Sequence, residues 1–161
     1  MITKLTIQTS DGDFLATYSE RGLKALDFPS GKARVSGQPT QVAEVSKWHK
    51  QTTAAVLAIL EGKDPKELPP LDLSEHAGFR RSVWEILRKI RSGKTASYGE
   101  VAEQLGKRGS ARAVGNACGA NPIPLLIPCH RVLASGGRLG GFSGGLDWKK
   151  KLLAREGVAF R

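Results

Sequence analysis

The reactive residue types gather between Asn121 and Arg131, in the run Asn121-Pro122-Ile123-Pro124-Leu125-Leu126-Ile127-Pro128-Cys129-His130-Arg131. Three prolines bracket its apolar stretch. Proline fixes φ and blocks regular helix, so the backbone presenting Cys129 should be stiff, which suits a reacting atom. A thiol followed at once by an imidazole and a guanidinium is a candidate nucleophile. Its pKa is depressed if those charges or hydrogen bonds reach the sulfur. Adjacency leaves that contact open, because neighbouring side chains can diverge. Cys118 lies among small residues and reads as a buried small hydrophobe. Two cysteines are too few for a disulfide scaffold and lack the spacing of a zinc site, so no metal is expected. His49 and His76 have no reactive company and read as surface or packing residues, and Trp84 and Trp148 as core. The Lys149-Lys150-Lys151 run reads first as a solvated helix face, with phosphate contact as its functional reading.

The elements that must carry these residues can be read from periodicity. Leu5 and Ile7 alternate with polar residues, Asp11-Gly12 marks a turn, and Phe14, Ala16 and Tyr18 repeat with period two. That predicts a hairpin, extended by a third strand near Leu23–Phe28. The Gly-, Ser- and Pro-rich stretch Pro29–Pro39 reads as a loop. Apolar positions from Gln41 to Glu61 lie near helical spacing, with Gly62 as the stop, and Lys63–Ser74, with Pro65, Pro69 and Pro70, reads as a linker. Further on, Phe79, Val83, Ile86, Leu87 and Ile90 form one apolar helical stripe, with Arg80, Arg81, Arg88, Lys89 and Arg91 largely off it. Ser97-Tyr98-Gly99-Glu100 matches a capping box opening a helix that Gly106 can end. Ser110 can cap a second short helix running to about Cys118. Two short helices joined at Gly106–Gly109 resemble a helix-turn-helix. The expected architecture is an α/β (α+β) N-terminal domain with a small antiparallel sheet, residues 1–74 with the linker. A mainly helical C-terminal domain, residues 75–161, contains the helix-turn-helix.

Charge separates the same two parts. The chain has 161 residues and a formal net charge of +10. Residues 1–78 hold 9 Lys and Arg against 10 Asp and Glu, whereas residues 79–161 hold 16 against 5. A basic excess confined to one half favours a nucleic-acid partner, because each phosphate contacted releases counterions. No apolar run approaches the roughly 20 residues of a membrane helix, and the first residues lack the apolar core of a secretion signal. A cytoplasmic, reduced protein without membrane attachment is the expectation.

Residues 79 to about 157 resemble the C-terminal domain of the O6-alkylguanine-DNA alkyltransferases. The resemblance runs through Phe79-Arg80-Arg81-Ser82-Val83-Trp84, Ser97-Tyr98, Ala111-Arg112-Ala113-Val114-Gly115, Asn121-Pro122, Ile127-Pro128-Cys129-His130-Arg131-Val132 and Ser143-Gly144-Gly145-Leu146. The first 70 or so residues fit that family by architecture alone. The resemblance implies that Cys129 accepts the alkyl group in an in-line displacement, with guanine leaving. It implies that His130 takes the thiol proton through a water and that Glu156 orients and charges the imidazole. By the same resemblance Asn121 shapes the active-site turn and Tyr98 protonates the departing guanine. Ser143 hydrogen-bonds the lesion oxygen, and Arg112 fills the gap left by the extruded nucleotide. Ser97, Ala111, Gly115, Val132, Phe142 and Lys149 complete the residues expected to face substrate or DNA.

The implied partner is double-stranded DNA containing O6-alkylguanine, approached through the minor groove by a monomer without a cofactor. Activity on O4-alkylthymine is left open. Phe142 stands where many family members have Tyr, which removes a hydroxyl from the pocket. The physical logic holds without the family. An O6 substituent in stacked duplex is hidden from in-line attack, so the nucleotide must flip, at a cost of a few kcal/mol. The S-alkyl product lies off every reversible cysteine redox path, so one molecule repairs one lesion. An alkyltransferase-like protein that binds lesions without reacting is the alternative, disfavoured by Cys129. A helix-turn-helix regulator would be expected to dimerise, and nothing in the sequence resembles a dedicated dimer helix, while a thiol hydrolase leaves the arginine-bearing helix and the basic half unexplained.

Overall fold

A computed structural model describes residues 2–30, 43–142 and 144–161. Ser143 and most of the predicted Pro29–Pro39 loop therefore lie outside the described residues, as do Gln41 and Val42 at the start of the predicted helix.

The N-terminal half opens with β1 (Thr3–Thr9), β2 (Gly12–Ser19) and β3 (Gly22–Asp27), an antiparallel sheet in the order β1-β2-β3. The register pairs Ile7 with Phe14 and Leu5 with Ala16, so the period-two apolar residues share one buried face. The long helix α1 (Ala43–Leu60) buries Val45, Ala55, Val56 and Ile59. Gly62, at φ 79°, ends it as predicted. His49 proves to be a packing residue, its Nδ1 2.8 Å from the Tyr18 hydroxyl.

The predicted linker is more ordered than its prolines suggested. Leu23 donates its N–H to Pro70 O and accepts from Asp72 N, which docks the segment along β3, and Leu73 is buried. Proline blocks a helix here but leaves extended pairing available at a sheet edge.

In the C-terminal half, α2 (Phe79–Leu87) buries Val83, Trp84 and Leu87. The Trp84 indole donates to Ala117 O at 2.8 Å, which pins α2 to α4 (Ala111–Gly119). Between them lie the short strand β4 (Ala96–Ser97) and α3 (Tyr98–Gln104). The Ser97–Glu100 capping box is formed in both directions, and Gly106 takes the left-handed conformation. Ser110 precedes α4 without giving it a side-chain cap, contrary to expectation, because its backbone is not in the extended conformation that aims a capping oxygen at the helix.

One pairing was invisible in the sequence. The two-residue strand β5 (Val132–Leu133) pairs in parallel with β4, Ala96 against Val132 and Ser97 against Leu133. A last helix, α5 (Leu146–Arg155), then packs back against the rest. One cluster of buried side chains, from Leu5 in β1 to Leu152 in α5, joins both halves. Among the described residues no helix is long and apolar enough to cross a membrane.

Candidate active site

The β4–β5 pairing is what assembles the site. The strands run in parallel, so Tyr98, the residue after β4, comes level with Ala134, the residue after β5, and both line one cleft, while a single 3-10 turn of Cys129–Arg131 leads into β5. The turn is closed by Cys129 N bonding Ile127 O at 2.8 Å and Arg131 N bonding Pro128 O at 3.0 Å. Upstream, Asn121 ties off the apolar loop. Its Nδ2 donates to Ile127 O at 2.7 Å, and its Oδ1 accepts from Ile123 N at 2.9 Å. Within that loop Leu125 sits at φ 72°, the only non-glycine residue among those described with positive φ. A left-handed residue with a side chain costs roughly 1–2 kcal/mol, so the surrounding bonds must hold it. Stiffness here comes from Asn121 as much as from proline.

Cys129 is 2% exposed. Burial pushes its thiol up to about 11, while the Asn121 amide and the Lys149 charge pull it back only partly. The expectation of a thiol depressed by His130 and Arg131 is thus corrected. The Arg131 guanidinium turns away from the sulfur to Glu156, with Nε 2.9 Å from Oε1 and Nη2 2.9 Å from Oε2. The His130 ring does not hydrogen-bond the sulfur either. It donates from Nε2 to Glu156 Oε2 at 2.9 Å.

An ionised carboxylate only accepts, so Nε2 carries the hydrogen and the neutral ring keeps its lone pair on Nδ1. That Nδ1 is buried and has no hydrogen-bond partner. Burial holds the imidazole below its ordinary pKa, against the pull of Glu156 and aided by the charges of Arg131 and Lys149. Burial also opposes ionisation of Glu156, but the hydrogen bonds and charges of His130 and Arg131 win and hold it down to about 2. Glu156 caps the C-terminus of α5, where Gly157 at φ 75° turns the chain.

Lys149 requires a second correction. It is fully buried, which rules out the solvated-face and phosphate-contact readings. Its ammonium donates to Val132 O at 2.7 Å and Gly141 O at 3.2 Å, and lies 5.8 Å from the centre of the Tyr98 ring. A sequence signal for this existed. Lys149, Leu152, Leu153 and Glu156 stand at i, i+3, i+4 and i+7, the buried stripe of α5, with a charge at each end. The other residue that sequence reasoning misplaced is Arg131, read as a neighbour of the thiol when its partners are Glu156 and, at 2.6 Å, Ile90 O.

Beside this buried cluster opens a cleft of about 1080 Å³ lined by Ser97, Tyr98, Ala111, Arg112, Gly115, Gly136, Gly141 and Phe142, among others. Cys129 and Val132 are not in its lining, and both are buried. The half-buried Tyr98 links cleft and cluster. Burial raises its phenol to about 12, with the cysteine charges adding to the effect. It stays protonated at neutral pH and can donate. A Cβ on Gly140 would stand 2.6 Å from the Tyr98 hydroxyl, so only glycine leaves room there. Arg112 is exposed at the rim. Phe142 rests edge-on against Phe28, with ring centres 5.6 Å apart, and Phe28 in turn meets Trp148 at 5.1 Å. Cys118 is buried in α4, as read from sequence. Among the described residues no cluster of His, Cys, Asp and Glu could hold a metal.

The family described as 6-O-methylguanine DNA methyltransferase, DNA binding domain, matches residues 78–158. A methylated-DNA–protein-cysteine methyltransferase of Methanosarcina barkeri is 40% identical over 153 residues, covering 93% of this chain and 94% of that protein. The solved O6-methylguanine methyltransferase of Mycobacterium tuberculosis superposes with a TM-score of 0.75 at 32% identity, covering 97% of this chain and 93% of the other. A second solved structure, the M. tuberculosis OGT in complex with DNA, gives a TM-score of 0.75 at 33% identity, covering 95% and 91%.

Proposed function

The chain belongs to the 6-O-methylguanine DNA methyltransferase family, and from that premise we propose that it repairs O6-alkylguanine in duplex DNA by moving the alkyl group irreversibly onto its own Cys129. The reaction class, methyl transfer from methylated DNA to a protein cysteine, is that of relatives matching nearly the whole chain. DNA is the partner. The observation that carries the assignment of roles is the hydrogen-bonded series His130–Glu156–Arg131 behind a buried thiol, with the lone pair of His130 Nδ1 unused.

In this reading the target nucleotide flips into the cleft and its O6 substituent meets the sulfur. The S–C bond forms as the C–O bond breaks. The thiol proton passes through a water to His130 Nδ1, and the departing guanine takes a proton from Tyr98, which burial keeps protonated until then and which recovers its proton from solvent afterwards. Glu156 stabilises the imidazolium that forms. Lys149 steadies the growing thiolate and, through Val132 O and Gly141 O, holds the Cys129 turn against the cleft wall. With the thiol near 11, about one molecule in ten thousand is ionised at neutral pH. Deprotonation therefore belongs to the transfer step and is not a resting state. The thioether cannot be reversed by ordinary reductants, so each molecule acts once.

Helices α3 and α4 serve as a helix-turn-helix that enters the minor groove. The small residues Ala111 and Gly115 permit close approach, and Arg112 occupies the space of the flipped nucleotide. Ser97 and Phe142 wall the base, and Ser143 contacts the lesion oxygen. Residues 1–74 form a supporting domain and residues 75–161 the reacting one. The same reading takes the protein as a cytoplasmic monomer that needs no cofactor.

Incubation with an oligonucleotide carrying O6-methylguanine, followed by peptide mass mapping, tests the proposal. One methyl mass on Cys129, at one equivalent and no more, is expected. Methyl on Cys118, or turnover beyond one equivalent, contradicts it.

A further inference from the structure

Arg131 takes no part in the steps above, yet it is one of the few buried charges among the described residues and lies one residue from His130. Its side chain is 4% exposed and makes three contacts with the Glu156 carboxylate, two of them to Oε2, the same oxygen that accepts from His130. Nη1 donates to Ile90 O, the backbone just beyond α2, and stands 3.5 Å from Asp64 in the segment after α1. The order Asp64, Arg131, Glu156, His130 is thus an alternating row of charges that ends at the imidazole.

We propose that Arg131 is a positioning residue that shares Glu156 with His130 and thereby keeps the imidazole neutral and free to accept the thiol proton. The inference rests on the assignment of His130 as proton acceptor. A carboxylate alone against a buried imidazole favours the imidazolium, which has no lone pair left for Cys129. With the guanidinium on the same carboxylate, the set of Arg131, Glu156 and neutral His130 carries no net charge. Protonating the ring then places an uncompensated positive charge in the interior. The charged and titratable groups facing His130 are Glu156 and Lys149 from α5, and Arg131 and Cys129 from its own turn. Arg131 and Lys149 both act against protonation, Glu156 for it. Asp64, on the far side of the guanidinium, tempers the effect.

The test is an NMR titration of the His130 ring in the full chain, set beside the pH dependence of single-turnover methyl transfer to Cys129. Arg131→Met should raise the ring's proton affinity at least tenfold and move the acidic limb of the rate to higher pH by the same factor. Arg131→Lys, which keeps the charge, should stay close to wild type. Asp64→Asn, which leaves the His130–Glu156 bond in place, should shift both readouts the opposite way by a smaller factor. A folded Arg131→Met protein whose ring titrates like wild type overturns the inference. Should that variant fail to fold, an unmoved ring in Asp64→Asn overturns it. If the ring midpoint moves while the rate profile does not, the influence of Arg131 stands and His130 loses its role as proton acceptor.

Discussion

Cys129 gains selectivity from the same burial that weakens it as a nucleophile. A sulfur 2% exposed and protonated at neutral pH should be slow toward small alkylating reagents, with reactivity rising only as pH approaches 11. Lys149→Met removes the charge that favours the Cys129 thiolate. It should move the thiolate absorbance to still higher pH and slow methyl transfer at least tenfold. The acid side of stability follows from Glu156 and His130. The Glu156 carboxyl, at about 2 in the fold against 4.5 in the unfolded chain, contributes about 3 kcal/mol above pH 4.5 that is lost as pH falls toward 2. His130 is also held below its ordinary 6.5, so the unfolded chain takes up a proton first and stability begins to fall below pH 6.5. Melting temperature should therefore drop in two stages on acidification, and Glu156→Gln should erase the lower one. The Cys129-His130 pair was legible in sequence because its members are neighbours. The partner of Arg131 was not, since it lies on a helix 25 residues further on.

Local signals fixed most of the elements around the site. The Ser97–Glu100 pattern, the stripe Phe79–Ile90 and the glycine at 106 each describe a bond or a dihedral within a few residues, and each is present. Ser97→Ala should remove the cap of α3 and lower stability by about 1 kcal/mol in denaturant titration. What local patterns could not reveal is β4 against β5, two residues each, with partners 36 positions apart joined by tertiary packing alone. That pairing puts Tyr98 at the cleft, and Gly140 is the space it needs. Gly140→Ala combines a left-handed backbone with a contact at 2.6 Å to the phenol, so the Tyr98 ring must move. Methyl transfer should fall at least tenfold with little change in DNA affinity, measured by anisotropy beside mass mapping.

The whole molecule is held by contacts between halves that differ in charge. Asp11, in the turn between β1 and β2, takes both Arg155 nitrogens at 2.7 and 2.9 Å, and Arg155 also donates to Leu60 O. The residue after Arg155 is Glu156, so the N-terminal sheet grips the end of α5 where the carboxylate that bonds His130 and Arg131 sits. The pair is partly exposed, and Asp11→Ala should cost about 1 kcal/mol, less in high salt. DNA affinity should fall steeply with salt, because the basic excess belongs to the half that carries the cleft. Arg112→Ala should impair repair in duplex more than reaction with a free-base analogue such as benzylguanine. The charge division was plain in the sequence. The Asp11–Arg155 grip was not, since nothing local joins residues 144 positions apart.

The rings of Phe142, Phe28 and Trp148 give the protein an optical signal of its own. Phe142 stands at the cleft, Phe28 links it to the sheet, and the Trp148 indole lies at the other end with the Lys151 ammonium 4.6 Å from its centre. A base that displaces Phe142 must tilt Phe28 and change the surroundings of the indole. Emission from Trp148, isolated by replacing Trp48 with Phe, should therefore follow occupancy of the cleft in real time without any attached dye, Trp84 supplying a constant background from the interior.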